Sequence, residues 1–281
     1  VQFINTNNMT VPANYAYVDS VFNTGSLIDY FILNGYTVVA DWLNWNTAWW
    51  RGMDPTGDKK KWRYTLWDMD ASFNHYTNYS NVPNQGASAD PCDPAVLGNL
   101  GGQGHVPIWN ALLGNDDFFA DYINRYAELA STAFSCDSLH NLLDEMIGEI
   151  EPEMPAHIVR WGGTMTEWEN NVDSIHAFID TRCTNILAQL VLCEPAISGP
   201  YDLTIIVQPP GSGEVQLSSI TPSVYPFTAT YFGGVNISDY SLLTTSVEAL
   251  QQKGDIPIET KRKKGVNHTI LGDAGEEYVY T

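Results

Sequence analysis

The sequence predicts an α+β protein: a mostly helical body with a short β-hairpin, followed by a small, partial antiparallel β module. Three observations carry this. Apolar residues recur at helical spacing in long stretches between Asp116 and Leu190. A β-branched run, a turn rich in Trp and Asn, and a second aromatic run lie between Gly35 and Phe73. After Cys193 the chain turns to short alternating runs divided by Pro and Gly.

Taken in order, residues 1–14 read as an entry loop. Leu27, Ile28, Phe31 and Ile32 have helical spacing, and Ser26 is placed to cap their helix. The run ending in Asp41 reads as one strand and Trp62–Trp67 as a second, joined by a Gly/Lys-rich loop. The second strand delivers Asp68 and Asp70, whose side chains would share a face because strand side chains alternate with period 2. Residues 74–105 read as a long loop, a feature that is usually functional or pinned, and Cys92 is the candidate pin. Helices are predicted over Asp116–Phe134 and Ser138–Ile150, each with one apolar face. Pro152 and Pro155 interrupt the pattern. Thr166-x-x-Glu169 reads as a capping box that opens a long helix striped with Val172, Ile175, Ile179, Ile186 and Leu190. These stripes read as core rather than as cofactor contacts. Trp42, Trp45, Trp49 and Trp50 also read as core packing, with a sugar-binding platform as the rival use.

Pro195, Gly199 and Pro200 mark a linker, and Asp202–Ser238 is strand-like. From Asp239 the alternation stops. The expected division is residues 1–194 as the main unit, 195–238 as a partial β module and 239–281 as an irregular tail with no assigned role.

The formal net charge is −20, with only 13 Lys and Arg in 281 residues, which argues against direct nucleic-acid binding for want of a basic surface. No apolar run is long enough for a membrane span. The composition, acidic and rich in Trp, Tyr, Asn and Gly, points to a secreted protein, and the opening VQFINTNN reads as a mature form or a fragment. The four cysteines form no CxxC pair, which disfavours a zinc knuckle. Cys183 and Cys193 fall on one predicted helix, roughly 15 Å apart at about 1.5 Å per residue, too far to bridge. Cys136–Cys183 with Cys92–Cys193 is the preferred pairing, and four free thiols are the alternative. The six histidines show no HxxxH or HExxH spacing, so zinc hydrolase chemistry is disfavoured.

The chemistry concentrates in Asp41-x-x-x-x-Asn46 and Asp68-x-Asp70. The first is the spacing of a kinase catalytic loop, in which the Asp positions the hydroxyl nucleophile and the Asn helps hold magnesium. A following Asp completes such a site, and Asp68 is placed for that role. Phosphoryl transfer mostly requires positioned charge, so one base-like Asp and two oxygen ligands for Mg²⁺ go far.

Joined to the segment from Trp67 to Phe73, this pattern resembles the CotH kinase family of spore-coat proteins. The stretches LLGNDDFFADYINRYAEL and EIEPEMPAHIVRWGG, and the Trp-bearing helix ending at Arg182, are similar to its helical region. The resemblance covers about Tyr15 to Leu192. It implies the C-terminal lobe of an atypical protein-kinase-like fold, with Asp41 catalytic, Asn46 and Asp68 as metal ligands, and Asp70 as a further or alternative ligand. It also implies Mg²⁺ and ATP, transfer to Ser or Thr of a protein substrate, and a cell-surface, secreted or spore-coat setting. Asn74 stands where the family has Gly, and no phosphate-gripping loop or strand lysine precedes Tyr15. The expectation is a lobe inactive by itself. The alternative is a non-catalytic surface module that binds calcium, glycan or protein.

Overall fold

The computed structural model describes residues 1–43, 45–53, 60–74, 86–92, 104–207 and 214–237, and the backbone of four later strands. The N-terminal segment is helical, where the sequence reading placed a loop. Helix α1 spans Gln2–Thr6 and α2 spans Pro12–Val21. Pro12 opens α2, where its missing N–H costs nothing, and Ile4, Met9 and Val18 are buried against the core. Helix α3, Thr24–Thr37, is the central element: Leu27, Phe31 and Ile32 are fully buried. Its cap is Asn23, whose side chain accepts the Ser26 N–H, so Ser26 is not the cap. The Ser26 hydroxyl instead accepts the Tyr64 N–H at 3.2 Å and ties α3 to the hairpin.

The strand expected to end in Asp41 is absent. Helix α3 runs on through Gly35–Thr37 and stops at Val38, which adopts the left-handed conformation (φ 53°). Burial on all sides lets α3 absorb residues whose β-branching pointed to a strand. The hairpin lies further on and is shorter: β1, Ala48–Trp50, pairs antiparallel with β2, Arg63–Thr65. Helix α4, His105–Leu113, and helix α5, Asp116–Ser131, complete the body. Phe31 stacks on Trp109 with ring centroids 4.0 Å apart.

Helix α6, Cys136–Ile150, leads through a 3-10 turn, Glu151–Glu153, into α7, Met154–Trp161. Helix α8, Met165–Leu190, returns alongside α6. The capping box of α8 sits two residues earlier than predicted: Thr164 accepts the Glu167 N–H at 3.1 Å and donates to its carboxylate at 3.0 Å. Neither α6 nor α7 has a buried residue, and burial in α8 begins at Phe178. These helices form an arm that leaves the core. Both disulfides follow the preferred pairing. Cys136–Cys183 staples α6 to α8, and Cys92–Cys193 pins the loop before α4 to the end of α8.

The β region contains β3 (Ser198–Ile206), β4 (Val215–Leu217), β5 (Phe227–Gly233), β6 (Tyr240–Leu242), β7 (Ala249–Gln252), β8 (His268–Leu271) and β9 (Glu277–Tyr280). One sheet runs β5-β3-β7-β8-β9, and β4 pairs with β6. The β7–β8 pair is parallel, so the module is not wholly antiparallel. Residues 239–281 thus supply four short strands where the sequence reading expected an irregular tail; strands of three or four residues carry too little alternation to be read. Leu203, Ile205, Leu217, Tyr231 and Ile237 form a second core cluster. The seam to the body joins apolar and polar contacts: Ile197, Phe232 and Val235 belong to the main core cluster. Buried Glu128 of α5 accepts from the Tyr231 hydroxyl at 2.8 Å, from the Ser219 N–H at 3.3 Å and from the Ser219 hydroxyl. Asn124 donates to the Asn236 carbonyl at 2.7 Å.

Candidate active site

Asp41 lies just beyond the end of α3, and the backbone there is fixed from several sides. The Val39 N–H bonds back to the Asn34 carbonyl at 3.0 Å. The Ala40 N–H donates to the Ala71 carbonyl at 2.9 Å, and the Phe73 N–H donates to the Thr37 carbonyl at 2.8 Å. This lacing draws the segment that follows β2 along the end of α3 and carries Asp68 and Asp70 to Asp41. Trp42 and Leu43 are buried beneath the turn. At its far side the Tyr30 hydroxyl, from α3, reaches the Asn46 carbonyl at 3.2 Å and the Thr47 hydroxyl at 2.9 Å. One helix therefore anchors both ends of the Asp41–Thr47 loop.

Arg182 sets the helix end itself. It is fully buried on α8, and its guanidinium donates to the carbonyls of Gly35 (2.8 Å), Tyr36 (3.1 Å), Ala87 (3.4 Å) and Ala89. Carbonyls in the last turn of a helix have no intrahelical partner, and a cation there is favoured by the helix dipole. Sequence reading missed this role. The signal was present: Arg182 sits on the apolar stripe between Ile179 and Ile186.

The four predicted site residues are neighbours. Asp41's carboxyl is pushed above its ordinary value, chiefly by burial, next by the charge of Asp70, with Asp68 adding to it. Its own backbone N–H and the Asn46 amide pull the other way. Oδ1 of Asp41 is sealed from solvent and has no hydrogen-bond partner among the described residues. Asp68 and Asp70 are exposed. They do not stand on a regular strand: β2 ends at Thr65, and Asp68 is left-handed (φ 51°), which breaks the alternation. Among the described residues no three acidic, His or Cys side chains converge on one point at metal-binding distance.

The tryptophans differ from expectation. Of these four only Trp42 is core; Trp45, Trp49 and Trp50 are exposed. Arg63 lies over the Trp50 ring at 5.3 Å, and Arg51 lies over Trp62 at 5.0 Å.

A mostly helical body with small sheets, holding an Asp-x-x-x-x-Asn loop beside a second acidic segment, is compatible with a kinase-like fold. The chain belongs to the CotH kinase protein family, whose model matches residues 1–186. That span reaches back beyond Tyr15 and takes in α1 and α2. No curated protein and no solved structure matches the chain.

Proposed function

We propose that this protein acts in Mg²⁺-dependent phosphoryl transfer from ATP to a Ser or Thr hydroxyl of a secreted or coat protein. The observation that carries the reading is Asp41: a carboxyl raised by burial, with one oxygen sealed and unpartnered among the described residues, beside Asp68 and Asp70. A raised carboxyl suits a group that orients a hydroxyl and accepts its proton. The donor set fits a hard cation, since carboxylate and amide oxygens are what Mg²⁺ takes. Asn46 and Asp68 would hold it, with Asp70 as a further or alternative ligand. When bound, the ion neutralises charge on the phosphates. Arg182 and Tyr30 keep the Asp41 loop in place. We assign the chemistry to residues 1–194, with 195–238 an appended module and 239–281 of unassigned role. The two disulfides support an extracellular or surface setting, a spore coat included. Among the described residues no helix is long and apolar enough to cross a membrane.

The test is calorimetry of ATP binding with and without Mg²⁺ on the full-length protein and on Asp68→Ala. The expected result is Mg²⁺-dependent binding that weakens at least ~10-fold in the variant, the size of loss typical when a group that supports a metal site is removed. Equal binding by the two proteins overturns the assignment. The exposed Trp45, Trp49 and Trp50 favour a second reading, a non-catalytic surface that binds glycan or protein. Quenching of tryptophan fluorescence by an oligosaccharide panel, with no response to ATP, is the result that would select it.

A further inference from the structure

The arm holds an arrangement that the proposed chemistry does not use. His140 and Asp144 lie one turn apart on α6, and His176 and Asp180 lie one turn apart on α8. The pairs cross over. His140 Nε2 meets Asp180 at 2.7 Å, and His176 Nε2 meets Asp144 at 3.2 Å. The two Nδ1 atoms face each other at 2.7 Å, with ring centroids 4.9 Å apart and ring planes within 13° of parallel, so the rings meet edge to edge. A neutral ring that donates its Nε2–H to a carboxylate keeps a lone pair on Nδ1. Two inward lone pairs at this distance repel unless a proton or a metal cation lies between them. A carboxylate on the far nitrogen is also the outer support that metal-binding histidines use. The Cys136–Cys183 bridge fixes the two helices that carry the rings.

We propose that His140 and His176 bind one divalent transition metal of the zinc class through their Nδ1 atoms, with Asp180 and Asp144 orienting the rings. Imidazole pairs suit zinc, copper and nickel, whereas magnesium and calcium prefer oxygen ligands. Zinc–nitrogen bonds of about 2.0–2.1 Å in a tetrahedral site put the two nitrogens roughly 3.4 Å apart. Reaching this requires the two nitrogens to move apart by about 0.7 Å, at side chains that are 24% and 27% exposed. No three donors converge there as the side chains stand, so water completes the coordination. The ion would act as a second staple between α6 and α8. Spacing along one helix gave no hint of it, because the two histidines come from different helices, 36 residues apart.

The test is calorimetry with zinc chloride on the intact protein, alongside H140Q, H176Q, D144N and D180N. One zinc per chain is expected, undisturbed by excess magnesium. Loss of either histidine should weaken binding at least 10-fold, and each Asp→Asn change by ~10-fold, the usual effect of an outer support. A melting scan gives an independent readout: zinc should raise the melting temperature of the parent and leave the H140Q/H176Q double variant unmoved. No zinc heat in the parent, or unchanged affinity in the histidine variants, overturns the proposal. The exposed D144N and D180N changes keep it open to refutation if the histidine variants fold poorly.

Discussion

Replacing Glu128 by Gln should remove a pH-dependent weakness at the seam between helices and sheet. Burial pushes the Glu128 carboxyl from 4.5 to about 7, against the opposing hydrogen bonds from Ser219 and Tyr231. With the folded value above the unfolded one, the folded protein keeps a proton that the unfolded chain has released. Stability is therefore full below pH 4.5 and falls as pH rises through about 7. The loss over that window is about 3 kcal/mol. In a chain of this size ~1 kcal/mol moves the melting temperature by roughly 2–4 °C, so this group accounts for roughly 6–12 °C. The Gln carbonyl still accepts from Ser219 and Tyr231 but has no charge to bury. Calorimetric melting of both proteins across this range isolates the group, because every other carboxylate is common to the two. The gap in melting temperature should open in favour of Glu128→Gln as pH rises. Parallel curves would refute the burial argument.

Arg182→Lys should destabilise by about 3 kcal/mol or more in urea unfolding, since an ammonium cannot span the carbonyls of Gly35, Tyr36, Ala87 and Ala89 that the planar fork reaches. A loss near zero would deny it any role at the end of α3. Removing each disulfide by paired Cys→Ala changes should cost about 4.7 kcal/mol for Cys92–Cys193 and about 4.0 kcal/mol for Cys136–Cys183, from the closed loops of 101 and 47 residues. Thermal melts that reverse this order would show that chain entropy does not set the ranking.

How far the fold was legible depends on periodicity. Helices α5, α6 and α8 announce themselves through long apolar stripes, while the distance between Cys183 and Cys193 removes only one of the three disulfide pairings and leaves the choice between the other two to the fold. Helix α3 was half read: its β-branched end, Thr37–Val39, resembles a strand, and only tertiary burial settles it as a helix end. Helices α1 and α2 are too short and too weakly patterned to see. The candidate site was legible as residue types at a spacing, and the Asp41, Asn46, Asp68 and Asp70 side chains do lie together. What holds them together was not legible. Lacing of Ala71 and Phe73 to the end of α3 is a backbone matter that no side-chain pattern reports. The exposure of Trp49 and Trp50 depends on what covers a two-stranded sheet, which no local pattern encodes.

Arg182 has a consequence for the order in which the molecule comes into being. Its carbonyl partners stand 93 to 147 residues earlier in the chain. During synthesis, helix α3 and the loop after it emerge long before the side chain that closes their ends. Until α8 has been made and has docked, the carbonyls of Gly35 and Tyr36 must be satisfied by water, and the Asp41 turn lacks its cornerstone. The acidic site therefore matures near the end of translation of residues 1–190, and a nascent chain stopped short of Arg182 should carry the right carboxylates in the wrong places.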